Sequence, residues 1–372
     1  MAKISSCYQC GLCSGICPKR RVSKYSPRVR INEALSEDRK DASWDCLTCG
    51  LCSEYCPQNV DYVSFVRDLR TGNVNENAIA HKSIFTLLLE FMNENPTFKG
   101  VPLDFKGETD PKNDIAYFPG CLGFFDIFLD VGVNFHEIGD STIRLLNRVG
   151  VQPRLLPLKC CGHDALWQGN QNAFEKTRNS NRDLIAKSGI KTLVTSCAEC
   201  FRTFSKDYGL DIEVRHISQV LETKTEMLNL QSKDLRVVYQ DPCRLGRHMG
   251  VYDAPRNVLR NIKGVMLSEL DDARENSQCC GVSAWISCDT QAKVLMAEKL
   301  DKTARTGATT LITTCPKCCA HLNCLKNEKP PMKDFPVEVV DLTVFLSRLD
   351  SQQRRDLNKS TETNERGQFL AK

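Results

Sequence analysis

No run of apolar residues in this 372-residue sequence approaches the length that crosses a bilayer. The longest, Phe85-Thr86-Leu87-Leu88-Leu89 with Phe91 and Met92, stops far short of the roughly 20 residues required. No direct membrane span is expected, and any link to a membrane must run through a partner. An excess of charge of one sign is also missing: 50 Lys and Arg face 46 Asp and Glu, a formal +4. Metal-bound thiolates would make the loaded protein more acidic still, so nothing points to nucleic acid. No apolar stretch resembling a signal peptide precedes the first cysteine motif, into which Met1-Ala2-Lys3-Ile4-Ser5-Ser6 runs directly. A cytoplasmic protein is expected.

Cysteine, by contrast, is abundant. Twenty-one cysteines would form a disulfide framework in a small secreted protein, but this chain is long and the number is odd. In a reducing compartment thiols so numerous read as metal ligands. With 41% hydrophobic residues the chain can bury more than one core, and its length suggests two or three domains.

The marks along the chain divide it into 1–95, a cysteine-rich domain; 96–113, a linker rich in Pro, Gly and charge; 114–230 and 231–349, two copies of one design; and 350–372, a flexible polar tail. In the first domain Ser26-Pro27 reads as a helix start leading through Arg28 to Leu35, and Ile79 to Asn95 has helical apolar spacing. The first copy runs from an apolar strand into Cys121, then Cys160-Cys161-Gly162, then a β-rich stretch into Cys197 and Cys200, ending on His216-Ile217-Ser218. The second runs from Leu235-Arg236-Val237-Val238-Tyr239 into Cys243, then Cys279-Cys280-Gly281, then Thr309 to Thr314 into Cys315 and Cys318, ending on Asp341-Leu342-Thr343. Corresponding cysteines are offset by 122, 119 and 118 residues. Short strands alternate with helical stretches at Asn172 to Lys187 and Thr290 to Thr306, the pattern of an α/β unit with a parallel sheet. The cysteines are expected on loops at the carboxyl ends of the strands.

Cys7, Cys10, Cys13 and Cys17 before Pro18 follow the spacing C-x2-C-x2-C-x3-C-P, and Cys46, Cys49, Cys52 and Cys56 before Pro57 repeat it. This is the bacterial ferredoxin run, in which the fourth cysteine of each run reaches the other cubane cluster. The expected sets are therefore Cys7, Cys10, Cys13 and Cys56, and Cys46, Cys49, Cys52 and Cys17. Gly11 and Gly50 let the loops close tightly. A tetrahedral zinc site is the plain alternative, disfavoured by four cysteines and a proline occurring twice. Such a pair of adjacent sites is a wire by which electrons enter or leave.

Each copy of the repeated unit supplies five thiols, more than a zinc ion uses, and an adjacent Cys-Cys pair can bind two irons of one compact cluster. At these residues the sequence resembles heterodisulfide reductase. The Cys-Cys-Gly units look like its catalytic CCG domains, and Cys7-Tyr8-Gln9-Cys10-Gly11 with Tyr25-Ser26-Pro27-Arg28 is similar to its ferredoxin-like subunit. Having both on one chain resembles the fused D-type subunit, a match strengthened by Asp241-Pro242-Cys243-Arg244-Leu245-Gly246-Arg247 and Ser196-Cys197-Ala198-Glu199-Cys200. The resemblance implies a multidomain fold of mixed α+β and α/β class: a helical two-cluster ferredoxin-like domain followed by two α/β CCG domains with small parallel sheets. It implies two cubane [4Fe–4S] clusters and two noncubane [4Fe–4S] clusters. It makes Cys121, Cys160, Cys161, Cys197 and Cys200, with Cys243, Cys279, Cys280, Cys315 and Cys318, the catalytic ligands.

The reaction so implied is cleavage of a disulfide to two thiols, each noncubane cluster giving one electron and binding one sulfur. The family's archetypal substrate, the mixed disulfide of coenzymes M and B, is anionic, and Arg244, Arg247, His248 and Lys317 lie beside ligands where they would pair with it or else balance the charge of the clusters. The expected electron donor is a flavoprotein or a membrane cytochrome b partner. His163 and His248 are candidate proton donors or hydrogen-bond donors to the clusters; Trp167 and Trp285 are expected to pack on the cluster loops. Cys288, Cys319 and Cys324 are left over as ordinary buried or free thiols, with Cys319, which adjoins a ligand, the one that could instead line a cluster pocket. Two other classes compete: an electron-relay subunit of a hydroxy-acid (lactate or glycolate) or sulfur-metabolism oxidoreductase, and a structural docking subunit without turnover. Both five-cysteine motifs are complete, which favours disulfide chemistry.

Overall fold

Short helices wrap the cysteine loops of the N-terminal segment because each run breaks at a glycine. Gly11 and Gly50 take left-handed φ of 86° and 80° and start the helices Leu12–Ile16 and Leu51–Glu54, a conformation that strains residues with a Cβ. The computed structural model describes residues 4–36, 41–95, 97–98, 101, 104–228, 230–286, 288–329 and 334–349. The expected tail at 350–372 lies outside them, as does part of 96–113. The helix Pro27–Ser36 begins at its proline, with the Ser26 hydroxyl accepting from the Val29 N–H at 3.4 Å.

The apolar spacing from Ile79 forms a helix only from Ile84 to Glu94. Ile79 instead pairs antiparallel with Ile286, and the Ala80 N–H donates to the Trp285 carbonyl at 2.7 Å. His81, Lys82 and Ser83 take positive φ to turn the chain into the helix. Tertiary pairing outweighs helical periodicity here.

Two four-stranded sheets follow. The first contains β1 (Ile115–Phe118), β2 (Arg154–Leu155), β3 (Thr192–Thr195) and β4 (Glu213–His216) in the order β2-β1-β3-β4. The second contains β5 (Gln231–Tyr239), β6 (Lys263–Ser268), β7 (Thr310–Thr313) and β8 (Glu338–Asp341) in the order β6-β5-β7-β8. Every pairing is parallel, with Ala116 opposite Leu193 and Val238 opposite Leu311 in the central pairs. The two orders are the same, so the duplication read from the cysteines is a duplication of fold. Crossover helices Gln171–Ser188 and Thr290–Arg305 each start at a side-chain cap: Asn170 accepts from Ala173 N–H at 3.1 Å and Asp289 from Ala292 N–H at 2.8 Å.

The repeats share a core. Ile143, Leu146 and Val194 of the first and Val237, Ile312 and Leu346 of the second form one buried apolar set, each side chain contributing about 1.5–3 kcal/mol. Helix Leu342–Leu349 meets helix His136–Arg148, with the Thr343 hydroxyl donating to the Ile138 carbonyl at 3.3 Å. Residues 104–113 follow the same helix: Lys106 N–H donates to Asp140 at 2.7 Å, and Glu108 and Asn147 exchange bonds at 2.8 Å. No helix among the described residues is long and apolar enough to cross a membrane.

Candidate metal centres

The N-terminal segment holds two hollows. Cys7, Cys10, Cys13 and Cys56 line one; Cys17, Cys46, Cys49 and Cys52 line the other, with Cys52 at the edge of both. These are the sets in which the fourth cysteines exchange. Burial pushes the Cys17 thiol up to about 12 and Cys52 well above its ordinary value, with neighbouring cysteines adding to both shifts. Thiolates crowded in this way require a compensating cation, which suits an iron–sulfur core.

In the repeats every ligand loop follows a strand: Cys121 after β1, Cys197 after β3, Cys243 after β5 and Cys315 after β7. All five cysteines of the first repeat line one hollow, together with His163, Asp164, Glu199 and Lys317. Cys121 Sγ is 3.4 Å from Cys160 Sγ, and contacts continue through Cys161 and Cys200 to Cys197. In the second repeat the same succession runs Cys243, Cys279, Cys280, Cys318, Cys315. The two sets join where Cys197 meets Cys315. These two cysteines hold the same place in the two repeats, and contact between equivalent residues places a pseudo-two-fold axis at that point. Hydrogen bonding with Cys279 and then burial hold Cys243 far above the usual thiol value, and Cys318 is raised by Cys280, Cys315 and burial. The donor set therefore fits a multi-iron group in each repeat.

The four sets stand in sequence. Cys13 of the first hollow lies in the field of Cys52, and Cys49 of the second acts on Cys279 and packs with Cys280, Cys315 and Cys318.

A buried ion network lies beside the axis. Lys317 Nζ is 2.5 Å from Asp164 Oδ1 and 2.6 Å from Glu199 Oε2, with its ammonium 4.9 Å over the Trp285 ring. The Trp285 indole N–H donates to Asp164 Oδ2 at 3.0 Å. Burial raises Glu199 to about 7 against the pull of Lys317. Burial also works to raise Asp164, but Lys317 and His163 outweigh it and hold the carboxyl below the usual range. The donor atoms of His163, Asp164 and Glu199 lie within 4.8 Å of one another, yet cationic side chains already satisfy them, so they form an ion network.

The expected anion-binding and proton-donor roles change. Arg244, 2% exposed, donates to the Thr48 carbonyl at 2.7 Å, to the Thr48 hydroxyl at 2.8 Å and to the Ser283 hydroxyl at 3.1 Å, and stacks 4.0 Å over Trp167. Arg247 donates to the Cys49 carbonyl at 2.7 Å and the Ser277 carbonyl at 2.5 Å, and the His248 ring reaches the Thr48 carbonyl at 3.0 Å. Rather than facing a substrate anion, Arg244, Arg247 and His248 clasp the second N-terminal cysteine loop. Lys317 does line the hollow, but Asp164 and Glu199 neutralise it. His163 is not placed as a proton donor: its Nε2 accepts from Arg244 at 3.1 Å, its Nδ1 faces Asp164 at 3.1 Å, and burial holds the ring neutral.

Sequence reasoning missed Thr48, Ser283, Asp164 and Glu199, and gave no part to Asp241. Asp241, buried next to Cys243, takes both terminal nitrogens of Arg256 at 2.6 and 2.8 Å and so braces the ligand loop. Trp285 lies under Lys317, between Cys315 and Cys318, at 4.9 Å, and also stacks on Phe85 at 4.5 Å; Trp167 lies under Arg244, beside Cys243, at 4.0 Å. Cys319 points to the Val339 carbonyl and Asn323, away from the ligand sets.

Known proteins share this architecture. Residues 3–60 match the model of the 4Fe-4S dicluster domain, and residues 115–205 and 237–323 each match that of the cysteine-rich CCG domain. The chain is 29% identical over 374 aligned positions to the D-type subunit of the dihydromethanophenazine:CoB–CoM heterodisulfide reductase of Methanosarcina mazei, covering 87% of this chain and 89% of that protein. This chain belongs with the iron–sulfur proteins built from a 4Fe-4S dicluster domain and CCG domains, and it is similar to the D-type subunits of heterodisulfide reductase. The proteins similar to this chain differ in context. The corresponding protein of Methanosarcina barkeri is 33% identical over 60% of this chain and 56% of its own length. A component of the fumarate reductase (CoM/CoB) of Methanothermobacter marburgensis is 28% identical over 57% of this chain and 42% of its own length. A hypothetical protein from Helicobacter pylori shares the fold, with a TM-score of 0.53 at 15% identity over 90% of this chain and 66% of that one. The family domains establish this chain as an iron–sulfur subunit related to oxidoreductases.

Proposed function

We propose that this chain is the iron–sulfur catalytic subunit of a heterodisulfide reductase type complex. It holds two cubane [4Fe–4S] clusters in the N-terminal hollows and two noncubane [4Fe–4S] clusters in the repeats, and it reductively cleaves a disulfide of the coenzyme M–coenzyme B type to two thiols. The observation that carries this reading is the meeting of the two five-cysteine sets at Cys197 and Cys315. Cleaving a disulfide consumes two electrons and two protons and yields two thiols. Bound clusters supply the one-electron steps.

The chain's own residues do the rest. Cys197 and Cys315 bring the two halves of the site to one axis, and the Lys317 network holds the repeats at that separation. Trp285, Phe85 and Phe125 pack as an aromatic wall that excludes water. Arg244 and Arg247 fix the N-terminal loop carrying Cys49 against the second repeat. At the far end Cys10 is exposed, flanked by Tyr8 and Leu12 at 58% and 53% exposure, which suits electron delivery from a flavoprotein or a membrane cytochrome b partner.

The test is viologen-linked reduction of the coenzyme M–coenzyme B disulfide by the wild type, Cys160→Ala and Cys279→Ala. Each variant is expected to lose turnover while the N-terminal clusters stay reducible. A variant that keeps most of the rate after losing its own cluster would leave the electron-relay reading in place.

A further inference from the structure

His321 lies on the helix Pro316–Lys326, just beyond Cys318. Its Nδ1 is 3.6 Å from Cys280 Sγ, and the residue is 3% exposed. The ring stands edge-on to Trp285 at 5.1 Å between centroids, which fixes its orientation. Its Nε2 has no hydrogen-bond partner among the described residues. A metal-bound Cys280 is a thiolate with no proton to give, so this contact runs one way, from Nδ1–H to sulfur.

The first repeat has no counterpart to this donor. The place of His321 is taken there by Thr203, whose hydroxyl donates to the Glu199 carbonyl at 2.8 Å. Cys161, which corresponds to Cys280, has its side-chain contacts with Cys160 and Cys200. The two five-cysteine sets thus differ by an N–H aimed at one ligand sulfur.

Resting on the reading that each set holds an iron–sulfur cluster, we propose that His321 is a positioning residue that makes the second-repeat cluster the more readily reduced of the pair. A hydrogen bond to a ligand sulfur disperses the negative charge that reduction adds, and so raises the potential. The favoured site is also the one next to Cys49, where electrons arrive from the N-terminal hollows. A first electron is therefore held on the second repeat until another follows. One electron enters and one is stored; no bond or proton changes at His321.

The test is an anaerobic redox titration of the fully loaded chain followed by electron paramagnetic resonance, with the two repeat signals assigned from Cys160→Ala and Cys279→Ala. His321→Leu removes the donor. At a fixed applied potential its second-repeat cluster is expected to show a roughly tenfold lower ratio of reduced to oxidised form, about 59 mV for a one-electron couple, with the first-repeat signal unmoved. His321→Asn, whose amide N–H reaches the place of Nδ1, should restore the wild-type midpoint, and His321→Gln should not. This Asn and Gln comparison decides the matter should the Leu variant lose iron. Unchanged midpoints, equal shifts in both signals, or equal behaviour of Asn and Gln would overturn the proposal while leaving the functional reading intact. Iron near eight per wild-type chain would overturn both.

Discussion

Glu199 and Lys317 occupy the same place in the two Cys-x2-Cys motifs and meet at 2.6 Å. Equivalent positions carry opposite charges, so the pseudo-two-fold axis that would bring like charges together in a perfect repeat here makes an ion pair. Asp164 shares the ammonium at 2.5 Å. Removing the cation strands two carboxylates in the interior. Lys317→Met is expected to destabilise the protein by about 3–5 kcal/mol, and Lys317→Met with Glu199→Gln and Asp164→Asn to recover most of that loss. Anaerobic denaturant unfolding of the single and combined variants checks this; equal loss in both would mean that packing, not charge, holds the repeats.

Arg244 ties together all three parts of the chain: Thr48 of the N-terminal segment, His163 of the first repeat and Ser283 of the second. Thr48 sits at a positive φ of 46°, a backbone state that persists when its surroundings impose it. Arg244→Met should release that loop. The expected signature is kinetic: dithionite still reduces the N-terminal clusters, but electron passage from them to the repeats slows at least tenfold in stopped-flow absorbance. Passage at the wild-type rate would show that the loop keeps its place without the clasp.

The grouping of the cysteines was legible in the sequence because metal-binding thiols recur by type and spacing, and the chain has to spell them out. The same holds for the helices begun by Asn170 and Asp289, whose caps are local. Roles set by distant pairing were not legible. Arg244 beside a ligand reads as an anion site until Thr48, 196 residues away, is found on it. Ile79 reads as helix until Ile286 pairs with it. One signal was present and unread: aligning the repeats sets Glu199 over Lys317, and opposite charges at one repeat position are what a contact across an axis would use.

Asp341 gives the fold a pH dependence of its own. It ends β8 with its side chain buried, and burial raises its carboxyl to about 7 although the Thr343 N–H and hydroxyl donate to it. A carboxyl raised on folding contributes stability that is complete below its unfolded value near 4 and is lost as pH climbs through the folded value. The loss by pH 8 is on the order of 4 kcal/mol. Asp341→Asn does not titrate, so its thermal midpoint should gain on the wild type between pH 6 and pH 8. Parallel curves for the two proteins over that range would refute the assignment.

Cys17 makes the sharpest test of how the N-terminal wire is built. It belongs by sequence to the run of Cys7, Cys10 and Cys13, but it lines the hollow of Cys46, Cys49 and Cys52. Burial, with Cys49 and Cys46 adding to it, drives its thiol to about 12, so the cysteines that act on it are those of the other run. Serine in its place keeps the size and removes the soft thiolate that iron prefers. Cys17→Ser is therefore expected to perturb or lose the cluster held by Cys46, Cys49 and Cys52. The cluster held by Cys7, Cys10, Cys13 and Cys56 should keep its signal. That disturbed cluster lies between the exposed end of the wire and Cys279, so electron delivery to the repeats should fail with it, while the repeat clusters keep their iron. The measurement is electron paramagnetic resonance of the dithionite-reduced variant with an iron assay. A change confined to the cluster of Cys7, Cys10 and Cys13 would mean that each run closes on its own metal, and the serial order of the four sets would then have to be redrawn.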